Sequence, residues 1–239
     1  MIARRTPTRT GRSSWVVRGA GLVTASLLVV LLPLLTPPAV GGGTRSAPPA
    51  AERLAEDRYR VGKLIVDTRA RTAVCPGRVN QVIGTVEYLA VSPGGKVHES
   101  ILVLEVRPLH LQVGLILLGL EPQGGLRYQG DTQAPKGSPV ALSVSWNRGA
   151  RSVRVPAEQL VWDVVKKRPM EANPWIFSGW PEDPKGIAAE ELSLVATYRD
   201  PAAILNNALP TGSDDSVYKV NQRVIPARDT PVTVTFSPR

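Results

Sequence analysis

Residues 79–106 read VNQVIGTVEYLAVSPGGKVHESILVLEV, two β-rich runs on either side of a Ser-Pro-Gly-Gly break. Val79 to Val91 is dense in β-branched and aromatic residues, and His98 to Val106 supplies the second run, so the pair reads as a hairpin turning through Ser92 to Gly95. Side chains on a strand alternate between faces. His98, Ser100, Leu102, Leu104 and Val106 would then share one face, and Glu99, Ile101, Val103 and Glu105 the other. Neighbouring His98 and Glu99 are expected to point apart.

Working outward, Pro108 offers a helix start. Leu109, Val113, Ile116, Leu117 and Leu120 recur at helical spacing until Glu121-Pro122. A bilayer span needs about 20 apolar residues, so this run, with only His110 and Gln112 polar, predicts one buried apolar helix over about 109–120. PVALSVSW (139–146) alternates as a strand, Asn147-Arg148-Gly149 turns, and Ser152 to Val155 returns as its partner. Residues 157–165 fit either a short helix or a strand. WIFSGW (175–180), ELSLVATY (191–198) and PVTVTF (231–236) read as further strands. Asp200-Pro201 is an N-cap and first-turn pair for a short second helix over about 201–206. The expected class is α+β, a mainly antiparallel sheet of hairpins carrying these two helices.

The formal charge of +9 is uneven along the chain. Six of the 29 basic residues (Arg4, Arg5, Arg9, Arg12, Arg18 and Arg45) fall in the first 50 positions, where no acid occurs, leaving 23 basic against 20 acidic residues for the remainder. Nucleic-acid binding needs a clustered basic face, and Lys166-Lys167-Arg168 is the one compact run beyond residue 50, so no nucleic-acid partner is expected. The basic N-terminus, the apolar stretch LVTASLLVVLLPLL (22–35) and the small residues after it have the layout of an export signal. Residues 1–41 are read as a signal peptide or an N-terminal membrane anchor, 42–60 as a flexible linker ending in a short helical turn, and 61–239 as a single domain. The protein is expected to be exported across the cytoplasmic membrane, touching membrane only through an uncleaved N-terminal segment. Cys75 is the sole cysteine, which excludes an intramolecular disulfide and an iron–sulfur cluster within one chain.

The order of VEYLAVSPGGKVHESIL, RPLHLQVGLILLGLEP, a VSVSW strand with its hairpin, WIFSGW, LSLVATYRDPAAIL and VIPARDTPVTVTFSP resembles the YdjY domain of exported bacterial proteins. The resemblance covers residues 61 to 238 and implies an exported setting without a mechanism. Lipoproteins are common in that family, whereas in this chain no cysteine follows the apolar stretch closely enough to carry a lipid. A ferredoxin-like label given to some members has no chemical counterpart around a lone Cys75. The positions matching the most recognisable stretch are Glu87, Lys96, His98 and Glu99, with Gly119 after the apolar helix.

Two chemistries compete at these residues. In a hairpin, Glu87 would lie near His98, and with a reaching His110 the three would form a metal site of one carboxylate and two imidazoles, joined by Glu99 if the strand bulges. Such a site would suit a metal-binding protein or a metal-dependent hydrolase. Alternatively, His98 and Glu99, with Lys96, hold the hairpin through hydrogen bonds and a charge pair. There is no G-x-S-x-G, and neither Gly94-Gly95 nor Gly124-Gly125 opens a helix, so nucleophilic hydrolysis and phosphate cradling lack their patterns. Trp146, Trp175 and Trp180 are either core or a stacking surface for an envelope protein or glycan. On balance the sequence describes a non-catalytic binding or structural module of the cell envelope.

Overall fold

Alternation and doubly apolar runs divide the strands into two kinds. In the computed structural model, which describes residues 51–172, 175–180 and 192–239, the first stretch holds β1 (Glu52–Ala55), β2 (Arg58–Val61), β3 (Leu64–Asp67), β4 (Thr72–Val79), β5 (Tyr88–Val91) and β6 (Ser100–Leu104). Helix α1 (Pro108–Leu117) comes next, then β7 (Ser138–Arg148), β8 (Arg151–Pro156), β9 (Val161–Asp163), β10 (Arg168–Pro169) and β11 (Trp175–Phe177). The chain ends with β12 (Ser193–Ala196), β13 (Leu205–Asn207), β14 (Tyr218–Val220) and β15 (Pro231–Pro238).

Eight of these strands close on themselves in the order β4, β15, β7, β11, β13, β12, β5, β6, with β6 returning to β4 through Gly77↔Leu104 and Val79↔Leu102. Pairing is antiparallel except for β5 with β6 and β12 with β13, which are parallel. Two long strands serve two neighbours along one edge. The first half of β4 pairs with β3 and its second half with β6, so β1–β3 peel away from the barrel as a meander. Likewise the start of β7 pairs with β11 and its remainder with β8. β9, β10 and β14 form a separate three-stranded sheet.

The alternating strands have one buried face each: Val140, Leu142, Val144 and Trp146 on β7, and Val232, Val234 and Phe236 on β15. These pack with Cys75, Leu102, Trp175, Phe177 and Leu205 in one continuous core. An eight-stranded barrel is just wide enough for side chains to fill it. β5, β6, β12 and β13 are instead buried at every residue. Their second face forms a smaller cluster of Tyr88, Val91, Val103, Ala196 and Ala203, against which Val97 packs.

Four expectations are corrected. The architecture is mostly β, a closed barrel with a single α-helix among the described residues, and not α+β. The 79–106 hairpin is absent: Gly95 N–H does bond Ser92 O at 3.1 Å, but the chain then crosses back through a 3₁₀ turn at Val97–Glu99, and β6 runs parallel to β5. The short helix over 201–206 is a turn followed by β13. Asn206 folds back on that turn, accepting from Asp200 N–H at 2.8 Å and donating to Asp200 O at 2.9 Å. The second part of the segment read as linker, residues 52–60, falls instead within the β1–β2 pair.

An apolar helix does form, over Pro108–Leu117, but it buries Pro108, Leu111, Gly114 and Leu115 instead of the Leu109, Val113 and Ile116 face that the spacing picked. Gly114 meets β3 so closely that a Cβ there would overlap Leu64 Cδ2. The helix ends with Leu120 N–H bonded to Leu115 O and Gly119 N–H to Ile116 O, a Schellman closure that needs the positive φ (79°) of Gly119. One side of it stays open, with Ile116 exposed. No helix of the described residues is long and apolar enough to cross a membrane. The export segment and the first part of the linker, residues 1–50, lie outside the described residues.

Candidate functional site

A parallel strand pair requires the chain to return to its starting end, and the 92–99 crossover that does so lies against the outer face of the barrel wall. It buries Tyr88, whose hydroxyl therefore needs a partner. Tyr88 Oη donates to Asp200 Oδ2 at 2.7 Å and accepts from Lys96 Nζ at 3.1 Å, while Lys96 Nζ lies 4.0 Å from the same carboxylate oxygen. Asp200 Oδ1 accepts from Ala202 N–H at 2.8 Å. Burial, and then the charge of Asp200, push the Tyr88 phenol far above its usual pKa, so it remains a neutral donor. Crossover, β5 and the 200–204 turn are thereby joined in one buried polar contact.

Beside it, where β5 and β6 begin, Glu87 N–H donates to Glu99 O at 3.0 Å, and Glu87 O accepts from Thr197 and Tyr198 N–H at 2.8 and 3.0 Å. Gln129 Nε2 donates to Glu87 Oε2 at 2.8 Å. Partial burial raises the Glu87 carboxyl above its ordinary range, assisted by the charges of Glu99 and Asp215 and opposed by Lys96. It holds its proton to higher pH than an isolated glutamic acid. His98 Nε2 stands 3.2 Å from Glu99 Oε1, because the 3₁₀ turn replaces the strand geometry that would have separated them.

His110 is not part of this cluster. It sits on α1 against Gly62, and among the described residues no three His, Cys, Asp or Glu side chains are grouped to hold a metal ion. The proposed ligand set of Glu87, His98 and His110 therefore does not assemble. The tryptophan surface is corrected too. Trp146 and Trp175 are buried in the core, and their indole N–H groups meet no acceptor among the described residues. Trp180 is half-buried, its Nε1–H donating to Ala202 O at 2.9 Å and its backbone N–H to Gln112 Oε1 at 2.9 Å. The Pro181-Glu-Asp-Pro segment beside it lies outside the described residues.

At the other end of β5 and β6 the surface opens into a groove of about 450 Å³. Lys63 from the β2–β3 turn, Arg78 from β4, and Arg107 and His110 at the start of α1 line it, together with the apolar walls of Pro93 and Val106. Lys63 is ion-paired with Glu105, and Arg78 Nη1 with Asp229 at 2.9 Å. Burial and the neighbouring Arg107 charge lower the His110 pKa, which leaves its imidazole neutral at neutral pH. Nearby Cys75 is buried, and burial with the Glu105 charge pushes its thiol up to about 12, so it packs as a small apolar side chain and offers no thiolate.

The YdjY domain profile matches residues 64–237, from β3 into β15, which takes in the barrel and leaves β1 and β2 outside. The chain belongs to the YdjY domain family. No curated protein and no solved structure matches it. Within this YdjY domain, Glu87, Lys96, His98 and Glu99 all lie on or beside the crossover, and Gly119 closes α1. Tyr88, Gln129 and Asp200 belong to the polar network at the crossover, and the sequence alone does not single them out for it. Tyr88 is legible as a polar end on a fully apolar strand, whereas Asp200 has the local signature of a helix cap and Gln129 carries no local signal. The groove is invisible in the sequence, because its cations come from three distant segments and none belongs to a basic run.

Proposed function

We propose that this YdjY domain protein is an exported, non-catalytic binding module of the cell envelope, and that the groove at the C-terminal ends of β5 and β6 is its ligand site. The observation that carries the reading is the groove itself: a concavity of about 450 Å³ with apolar walls and a few polar groups, the build of a small-molecule site. The side chains that resemble catalytic groups are committed elsewhere. Tyr88, Lys96 and Asp200 hold the crossover, Ser100 Oγ donates to Leu102 O at 2.9 Å, and Cys75 is inert. Export is supported by the basic, apolar and small-residue order of residues 1–41.

The test is native mass spectrometry on the full-length protein recovered from the envelope of cells that express it. The reading predicts recovery in the envelope or exported fraction and a bound small-molecule mass that a groove-filling Val106→Phe variant loses. Retention in the cytoplasm would contradict export, and a bare protein mass in wild type and variant alike would contradict the binding role.

A further inference from the structure

We infer that the groove accepts an amphiphile with a single anionic head on an apolar tail, the head held at Arg107 and the tail laid along Pro93, Val103 and Val106. This deepens the binding reading above and rests on it.

Charge complementarity selects the head. Three cations, Lys63, Arg78 and Arg107, face the groove against one carboxylate, Glu105. The Lys63–Glu105 and Arg78–Asp229 pairs are at least 47% exposed on every side chain. Such pairs contribute about 0–1 kcal/mol, so either cation can turn to a ligand at small cost. Arg107 forms no ion pair with a described carboxylate and makes no side-chain capping bond to α1, which leaves its guanidinium available for a bidentate contact with an anion. His110 beside it is neutral at neutral pH and adds a hydrogen bond without adding charge. Its ring reaches the groove because Gly62, at φ +61°, has no side chain: a Cβ there would overlap the imidazole.

The walls select the tail. Val103, Val106 and Pro93 present carbon, and among the described residues the lining includes no Trp, Tyr or Phe on which a sugar would stack. A cationic amphiphile would meet three positive charges. A polyanion would require an extended basic face that the nearly balanced domain lacks.

The experiment is calorimetric titration of the full chain with decanoate and decyl phosphate as anionic probes, and with decanol, decyltrimethylammonium and acetate as comparators. Saturable 1:1 binding of decanoate or decyl phosphate is expected, with decanol, decyltrimethylammonium and acetate at least ten-fold weaker. The tighter of the two anionic probes identifies a carboxylate or a phosphate head. Arg107→Gln should weaken the anionic probes ten-fold or more while leaving the melting temperature unchanged, and Arg78→Gln should weaken them less. Equal affinity of wild type and Arg107→Gln would overturn the placement of the head. Decyltrimethylammonium binding as tightly as decanoate would overturn the anionic preference while leaving a groove that binds ligands. Acetate matching decanoate would overturn the role of the apolar wall. Failure of every probe, when native mass spectrometry still finds a bound molecule, would overturn this inference alone; failure of both would remove the binding role as well.

Discussion

Single side chains on the crossover carry more structural weight than chemical weight. Tyr88→Phe removes the hydroxyl between Lys96 and Asp200 and takes a donor at 2.7 Å from Oδ2 of a carboxylate whose side chain is only 6% exposed. Losing a buried hydrogen bond to a charged group costs about 1–3 kcal/mol, which urea unfolding should register as a lower midpoint. The Tyr88→Phe/Asp200→Asn pair should cost less than the sum of the two single changes. Arg199 is the other buried anchor. Its guanidinium donates to the carbonyls of Asp131, Thr132, Asn207, Ala208 and Leu209, tying the loop after α1 to the segment after β13. Arg199→Met removes all five of these bonds and should lower stability by about 3 kcal/mol or more, while Arg199→Lys, with three donors for five carbonyls, should recover only part of the loss. Glu87 acts through pH. Because its carboxyl pKa is raised in the folded protein, the native state binds more protons than the unfolded chain above the ordinary carboxylate range. Its contribution is therefore fully present below that range and lost as pH rises through the raised value. Melting temperatures measured from about pH 4 to 8 should show that decline in wild type and a flatter profile in Glu87→Gln; an unchanged slope would show that burial and the Glu99 and Asp215 charges do not raise the Glu87 carboxyl. Of the residues singled out in the sequence, Lys96, His98 and Glu99 gather because they are neighbours along the chain, and Glu87 joins them because the pairing of β5 with β6 sets it against Glu99. His110 does not, since its partner set depends on the hairpin.

At the scale of elements, the contact between α1 and β3 makes a sharp test. Gly114→Ala should stabilise an isolated helix by about 1 kcal/mol, yet here the added methyl overlaps Leu64. Overpacking of this kind costs about 1–3 kcal/mol, so chemical denaturation should find the variant less stable. The same change in a Leu64→Ala background should cost less. The helix is legible in the sequence from its starting proline, its long apolar run and its closing glycine, although the spacing picks a face, through Ile116, that stays exposed. The strand partners are not. Two apolar runs around Ser-Pro-Gly-Gly fit a hairpin locally, and only the absence of alternation in YLAV and ILVL marks strands buried on both faces, the pattern of parallel pairing. The turn at 201–204 imitates a helix start for a related reason: Asp200 does cap it, but a distant requirement, pairing of Leu205–Asn207 with both β11 and β12, makes the next element a strand.

For the whole molecule, one topological fact organises the rest. Because β5 and β6 are parallel, a crossover must cover the wall at one end, creating the Tyr88–Lys96–Asp200 network, and the chain must leave β6 at the opposite end, where Glu105 to Arg107 and Pro93 frame the groove. Closure of the barrel through β6 and β4 brings Arg78 to that same end. In a 79–106 hairpin both features would disappear together. The most direct test is therefore strand register by nuclear Overhauser contacts in isotope-labelled protein. Backbone contacts between Val91 and Val103, and between Gly77 and Leu104, are predicted. Contacts placing Val91 against Lys96 or Val97, with Val103 far from it, would restore the hairpin and contradict the barrel, the crossover and the groove at once.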